Sequence, residues 1–210
     1  MSRIIIVTDI HGMYEQFTQL LSLCQLDYGR DIFICNGDVI SRGTVEDQIK
    51  CIDLLFDIEE KMKDRFHWIE GNHERDMIEW YNYDLVQNSF FRRVTRKLRD
   101  EYRDDEMPES DKRVIRKIYR RQFEKQVDFP EFTVTHSHAE SEVDINNRLL
   151  IVGHRYVEVP TYIDSNGNKS SLKEGELPKS GIIFFDTGGV YGNKLTALII
   201  EDGILRYVQV

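Results

Sequence analysis

The chain has 210 residues, 40% hydrophobic and 11% aromatic, enough to bury one substantial core and too few for two comfortable domains. Its formal charge of −9 argues against a general nucleic-acid-binding surface, which would carry a basic excess, but leaves small phosphorylated substrates open. No run of about 18 apolar residues occurs and "MSR" leads straight into an apolar run, so the expectation is a soluble, cytoplasmic protein without a spanning helix or signal peptide. Cys24, Cys35 and Cys51 lack the close pairing of zinc or redox motifs and read as small core residues in a reducing compartment.

"RIIIVT" (3–8) is a short β-branched run bounded by a polar loop, the pattern of a strand buried on both faces. Phe17, Leu20, Leu21 and Cys24 then repeat at helical spacing. "DIFIC" (31–35) predicts a second strand, Ile49, Ile52, Leu55 and Phe56 a second amphipathic helix, and "FHWIE" (66–70) a third strand. This alternation implies parallel strands with right-handed crossovers. Residues 85–127 are charged, glycine-poor and broken only near Pro108, which predicts two helices forming an insert or cap. About a dozen of the 28 Lys and Arg lie between Arg92 and Arg121, interleaved with acids; both a salt-bridged solvated face and a lid attracting a phosphorylated substrate fit them. Strands resume at 132–136, 149–154, 156–163, 181–186, 194–200 and 204–210, with hairpin turns at "IDSNGNK" and "EDG". The expected fold is an α/β sandwich in a single domain covering 1–210, with its second half predominantly β.

In such sheets ligands bind beyond the carboxyl ends of the strands, and the polar residues sit there. "TDIHG" follows the first strand, "NGDVISRG" the second and "GNHER" the third. His11, His73, His136, His138 and His154 all fall at or beside loops after predicted strands, whereas His67 lies within one and reads as a core or edge histidine. Asp9, His11, Asp38, Asn72, His154 and one of His136 or His138 make a mixed oxygen and nitrogen donor set, enough for two divalent cations sharing a carboxylate. Without cysteine among the donors, a closed structural zinc site is disfavoured. Each fragment alone could be an ordinary capping aspartate or helix-entry turn; their joint occurrence in this order is what points to a metal centre.

With those motifs in place, the sequence resembles the calcineurin-like metallophosphoesterases, and within them the phosphoprotein phosphatase branch, which includes bacteriophage lambda-type protein phosphatases and symmetrical diadenosine tetraphosphatases. "TDIHG", "GDVISRG", "GNHE", a strand-end histidine and "GH" occur in that family's order, and "DTGGVYGNKLTAL" (186–198) resembles its final hairpin. The resemblance implies a metallophosphatase β-sandwich flanked by helices, and two divalent metal ions, manganese first, with iron, zinc or nickel as alternatives. It puts Asp9, His11 and Asp38 on the first metal, with Asp38 bridging, and Asn72, His154 and His136, preferred over His138, on the second. It implies in-line attack by a metal-bridging hydroxide, with Arg42 pairing with phosphate oxygens and Asn72 and His73 orienting the phosphate. His73 would be the general acid. The implied substrates are phosphomonoesters of serine/threonine phosphatase type or, alternatively, dinucleoside polyphosphates; a non-catalytic scaffold on the same fold is the second alternative.

Two departures stand out. Where the family carries an aspartate before the arginine, supporting the "GNHE" histidine, this chain has Ser41, whose hydroxyl can hold the imidazole but supplies no charge. The further phosphate-binding arginine expected before "GH" also lacks a clear counterpart; Arg148 stands there without a motif, and Arg155 or an arginine of the 92–121 segment are alternatives.

Overall fold

Ile4, Ile5, Ile6 and Val7 are all buried, so the strand they form, β1 (Ile4–Val7), must be covered on both faces. Side chains alternate across a strand, and the two faces enter different cores. Ile4 and Ile6 pack with Ile34, Ile69, Val134, Ile151, Ile183 and Leu198, while Ile5 and Val7 pack with Phe17, Phe33, Ile52 and Leu55. The first set lies between two sheets and the second beneath helices.

The computed structural model describes residues 3–85, 107–138 and 142–210. After β1 come α1 (Tyr14–Cys24), β2 (Ile32–Asn36), α2 (Val45–Met62), β3 (Phe66–Ile69) and α3 (Asn72–Leu85), in the expected alternation. Then follow α4 (Glu109–Ile115), β4 (Gln126–Asp128), β5 (Phe132–Thr135), β6 (Leu149–Val152), β7 (Thr161–Ile163), β8 (Lys169–Ser171), β9 (Gly175–Glu176), β10 (Gly181–Phe184), β11 (Thr196–Glu201) and β12 (Ile204–Gln209). One sheet has the order β3-β2-β1-β11-β12-β9 and the other β4-β5-β6-β10-β7-β8. Strands β1, β2 and β3 are mutually parallel, as are β5, β6 and β10, whereas β11 runs antiparallel to β1 and β7 to β10. The result is the expected α/β sandwich of two mixed sheets. No helix among the described residues is long and apolar enough to cross a membrane.

Thr44 caps α2 by accepting from the Asp47 N–H at 3.1 Å, with Glu46 and Asp47 in the first turn and Lys61 in the last, each favourable to the helix dipole. Its inward face is Cys51, Ile52, Leu55, Ile58 and Met62. All three thiols are buried, Cys24 pushed up to about 11 and Cys51 to about 12 chiefly by burial, so they are packing groups rather than nucleophiles.

Several expectations shift. The extended run over 156–163 contracts to Thr161–Ile163 because His154 takes a positive φ and Val157 N–H donates to the Asp186 carbonyl instead of a ladder partner. The insert expected to end at 127 ends earlier, since Gln126 and Val127 already belong to β4; its second helix is α4, and the first lies outside the described residues. The short β8 and β9, too polar to read as strands, were not among the expected elements. His67 sits on the edge strand β3, paired with Glu124 at 3.1 Å, as its position suggested.

The basic segment, where described, lies against α2. Arg113 pairs with Glu46, Lys117 with Asp53 at 2.7 Å, and Arg121 makes two 2.8 Å bonds to Glu59 while its guanidinium lies 4.5 Å from the Trp68 ring. Those cations are committed to a salt-bridged face; Arg92 to Arg103 lie outside the described residues.

Candidate metal centre

Six strand ends converge on one cleft. β1 delivers Asp9 and His11, β2 Asp38, β3 the start of α3 with Asn72 and His73, β5 His136, β6 His154, and β10 Asp186. The loops after β1 and β2 are joined backbone to backbone: Asp9 N–H donates to the Gly37 carbonyl (3.1 Å), His11 N–H to Asp38 (2.9 Å) and Gly12 N–H to Val39 (2.7 Å). Asp9, His11, Asp38, Ser41 and His154 all have φ between 48° and 84°. Each left-handed non-glycine costs on the order of 1–3 kcal/mol, and their concentration in these loops identifies where the fold sustains strain.

Asp9, His11, Asp38, His73, His154 and Asp186 line the cleft with Tyr156, Val190 and Tyr191. Asp38 is central. Its Oδ2 lies 3.3 Å from His136 Nε2 and 3.9 Å from both His11 Nε2 and His73 Nε2, and its Oδ1 accepts the His73 backbone N–H at 3.0 Å. His11 Nε2 is also 3.9 Å from Asp9 Oδ1. Asn72 Oδ1 is 3.2 Å from His136 Nε2, and the His136 and His154 rings are 5.2 Å apart. Two compact groups emerge, His11–Asp38–His73 and Asp38–His136–His154, each with ligand atoms within 4.8 Å of one another and sharing Asp38.

The imidazoles are presented as a metal would need them. His11 Nδ1 faces the Ile40 carbonyl at 2.9 Å and His136 Nδ1 the Asn36 carbonyl at 2.8 Å, so both rings turn Nε2 inward. Such an outer hydrogen bond fixes the tautomer and orientation of a ligating histidine. Burial lowers the His11 pKa, favouring the neutral, ligating form. Burial pushes the Asp9 carboxyl well up and Asp186 up. For Asp38, burial is outweighed by the hydrogen bond and charge of His136, which hold it down at about 2; burial of His136 is in turn outweighed by Asp38 and Asp9, raising it to about 10. Three clustered carboxylates call for positive charge, which a protonated His136 would supply and a divalent cation would supply more strongly, displacing that proton. The donor set fits such cations.

Glu74, fully buried, was not among the expected site residues although it stands in "GNHE". Its Oε2 accepts the Asp38 (2.8 Å) and Gly71 (3.1 Å) N–H groups, and its Oε1 accepts those of Val39 (2.8 Å) and Ile40 (3.3 Å). Burial, with the Asp38 charge adding, pushes its pKa up to about 7. A side chain at Gly71 would collide with the Asp38 backbone and carboxylate, so only glycine lets the two loops touch. Glu74→Gln turns an NH2 toward buried N–H donors and should cost about 2 kcal/mol, lowering Tm by about 4–8 °C for a domain of this size. An unchanged melting curve would show that these bonds do not hold the loop.

The remaining expected residues divide. Ser41 Oγ lies 2.6 Å from His73 Nδ1, while its N–H donates to Gln48 Oε1 at 2.8 Å. Arg42 is exposed beside the cleft rather than lining it, near enough for its charge to lower the His11 pKa. His136 is buried among the carboxylates, while His138 is exposed with its ring 5.9 Å from Phe184, outside either histidine group. Arg148 is occupied elsewhere, donating to Thr133 Oγ1 at 2.8 Å and to the Phe129, Pro130 and Phe132 carbonyls. The Arg155 guanidinium packs 5.3 Å from the Phe184 ring. Asp186 was missed as well; its place after "GIIFF", matching Asp9 after "IIIVT", was the available signal.

Buried carboxylates and imidazoles gathered at parallel strand ends, with their outer nitrogens tied to carbonyls, define a metallohydrolase class of site. Residues 2–176 match the calcineurin-like phosphoesterase family, and the chain belongs to it. A symmetrical bis(5'-nucleosyl)-tetraphosphatase of Buchnera aphidicola subsp. Acyrthosiphon pisum is 35% identical over 72 residues, 34% of this chain. The match spans 24% of that relative's length. A metallophosphoesterase from Sphaerobacter thermophilus superposes with a TM-score of 0.57 at 18% identity, covering 100% of this chain and 88% of that one. A protein serine/threonine phosphatase from Saccharomyces cerevisiae gives 0.59 at 10% identity, covering 99% and 79%; both likenesses concern the fold.

Proposed function

We propose that this chain is a metal-dependent phosphoric ester hydrolase acting on phosphoanhydrides of the dinucleoside polyphosphate kind. The observation that carries the reading is the shared Asp38 between two histidine groups, with His73 set against a hydroxyl rather than a carboxylate. Asp9, His11, Asp38, Asn72, His136 and His154 would hold two divalent cations, manganese first given the carboxylate and imidazole donors. Bound there, two cations supply charge neutralisation on phosphate and a water activated for attack near neutral pH. Asp38 serves both groups and keeps its carboxylate ionised. His73 lines the cleft, and with Asn72, its neighbour in the first turn of α3, it would orient the phosphate, while Arg42 would reach in from the exposed loop to pair with its oxygens.

His73 is the acid toward the leaving oxygen, and Ser41 sets how strong an acid it is. A hydroxyl can donate to or accept from Nδ1, so it orients the ring in either tautomer; a carboxylate only accepts and also stabilises the imidazolium. Anhydride and aryl leaving groups need less protonation than alkyl ones. The similarity to a symmetrical tetraphosphatase supports the same choice, whereas the serine/threonine phosphatase shares the fold alone. The complete donor set speaks against a scaffold without turnover. Ser41→Asp should raise kcat/KM for an alkyl phosphate relative to an aryl phosphate by about tenfold, equivalent to one pKa unit of added imidazolium stabilisation. An unchanged ratio would remove Ser41 from the account.

A manganese-supplemented panel of a dinucleoside tetraphosphate, a phosphoserine peptide and a cyclic nucleotide tests the substrate assignment. The tetraphosphate should be turned over with the highest kcat/KM. A faster phosphopeptide would overturn the anhydride reading, a faster cyclic nucleotide would reveal a phosphodiesterase, and no turnover at all would restore the scaffold.

A further inference from the structure

The cleft is about 190 Å³, below the roughly 300 Å³ at which pockets begin to enclose a drug-sized ligand. A phosphate group held among its carboxylates and imidazoles would leave whatever it carries to extend to the rim. Two tyrosines form part of that rim. Tyr156 and Tyr191 both line the cleft, yet they are 49% and 67% exposed, and their ring centroids lie 6.3 Å apart at 76°.

Tyr156 is held rather than free. Gly188, at φ +68°, lies directly beneath its ring: a Cβ there would come within 2.6 Å of Cε2 and 2.7 Å of Cδ2. Its hydroxyl also accepts from Asn193 Nδ2 at 3.3 Å. Tyr191 closes the 3₁₀ turn Gly189–Tyr191, which follows Asp186 by a few residues. Both rings are thereby tied to the chain that carries the metal-site side chains His154 and Asp186. With Tyr156 backed by Gly188 and both rings largely exposed at the rim, ring surface is left open to a planar ligand.

Charge gives a reason for such a platform. The protein carries −9, and among the described residues lining the cleft none is Lys or Arg, so apart from the cation-binding residues and the neighbouring Arg42 little there draws a polyphosphate chain. Added affinity for one phosphoanhydride over another must then come largely from uncharged contact. Aromatic faces provide it for any base, because every base has a π-face.

We infer that Tyr156 and Tyr191 form a stacking subsite for the planar base of the substrate nucleotide, making this a specificity determinant for nucleoside over simple polyphosphates. This inference rests on the phosphoanhydride reading, and its test is separable from it. Titrate adenosine 5'-monophosphate and, separately, inorganic phosphate into the manganese-loaded protein by calorimetry, using wild type, Tyr191→Ala, Tyr156→Ala and the two Phe variants. Wild type should bind the nucleotide about tenfold more tightly than phosphate, within the range seen when a stacking aromatic is removed. Each Ala variant should lose most of that ratio and each Phe variant keep it. The kcat/KM ratio for diadenosine tetraphosphate over tripolyphosphate, which has the same anhydride and no ring, should fall in parallel. Equal binding of nucleotide and phosphate by wild type, or a ratio unmoved in the Ala variants, would overturn the subsite even if the enzyme hydrolyses anhydrides. A ratio lost in the Ala variants without any dinucleotide turnover would uphold the subsite and overturn the substrate reading instead.

Discussion

Asp38→Asn is expected to lower turnover of a dinucleoside tetraphosphate by about 10³-fold or more. Asp38 Oδ2 faces His11, His73 and His136 together, so the substitution removes a negative charge from the centre of both candidate ligand groups. Lewis-acid stabilisation of a transferring phosphoryl group contributes several kcal/mol, and losing about 4 kcal/mol corresponds to about 10³ in rate. Asparagine keeps an oxygen for the His73 backbone N–H, now 3.0 Å from Oδ1, so the loop should retain its path. Metal content measured on the purified variant should drop with the activity. Turnover within tenfold of wild type would show that Asp38 does not organise the centre.

His73→Gln should separate an acid from a ligand. A positioned general acid contributes about 10²–10⁴, and the loss should be greatest for alkyl phosphates and smallest for anhydrides and aryl esters. His73 also belongs to the His11–Asp38 group by distance alone. If it is the acid, the variant keeps its manganese content and becomes more sensitive to the leaving group; if it is a ligand, manganese is lost and all substrates fall together. Equal losses with metal retained would mean that His73 orients phosphate without donating a proton.

The strain in the loops bears on both experiments. Asp9, His11, Asp38, Ser41 and His154 hold positive φ values, and the loop that contains two of them, Asp38 and Ser41, is fastened by Glu74 through three of its N–H groups, with Gly71 N–H making a fourth bond. A carboxylate with that many buried donors gives the ligands fixed positions before any cation arrives, which limits the reorganisation needed to bind one.

Much of this was legible in the sequence. The β-branched runs at 3–8 and 31–35, the helical repeats after them, and the motif order "TDIHG", "GDVISRG", "GNHE" determined the alternating first half and which loops carry the chemistry, because buried strands and amphipathic helices have distinct periods. What the sequence left open were matters of contact between segments far apart in the chain. His136 is preferred because it directly follows its strand, with His138 as the alternative, and it is the turn after β5 that brings the first into the carboxylate cluster while the second packs near Phe184. Arg148 looked available and is spent on carbonyls; Asp186 and Glu74 looked ordinary and are buried at the centre. Ser41 was odd in the sequence, but its 2.6 Å contact with His73 required two loops 32 residues apart to meet. Local propensity and hydrophobic period act over a few residues and so are written in the sequence. Hydrogen bonds, charge coupling and burial depend on which strand ends the sheet order brings together, and the tertiary structure alone determines that.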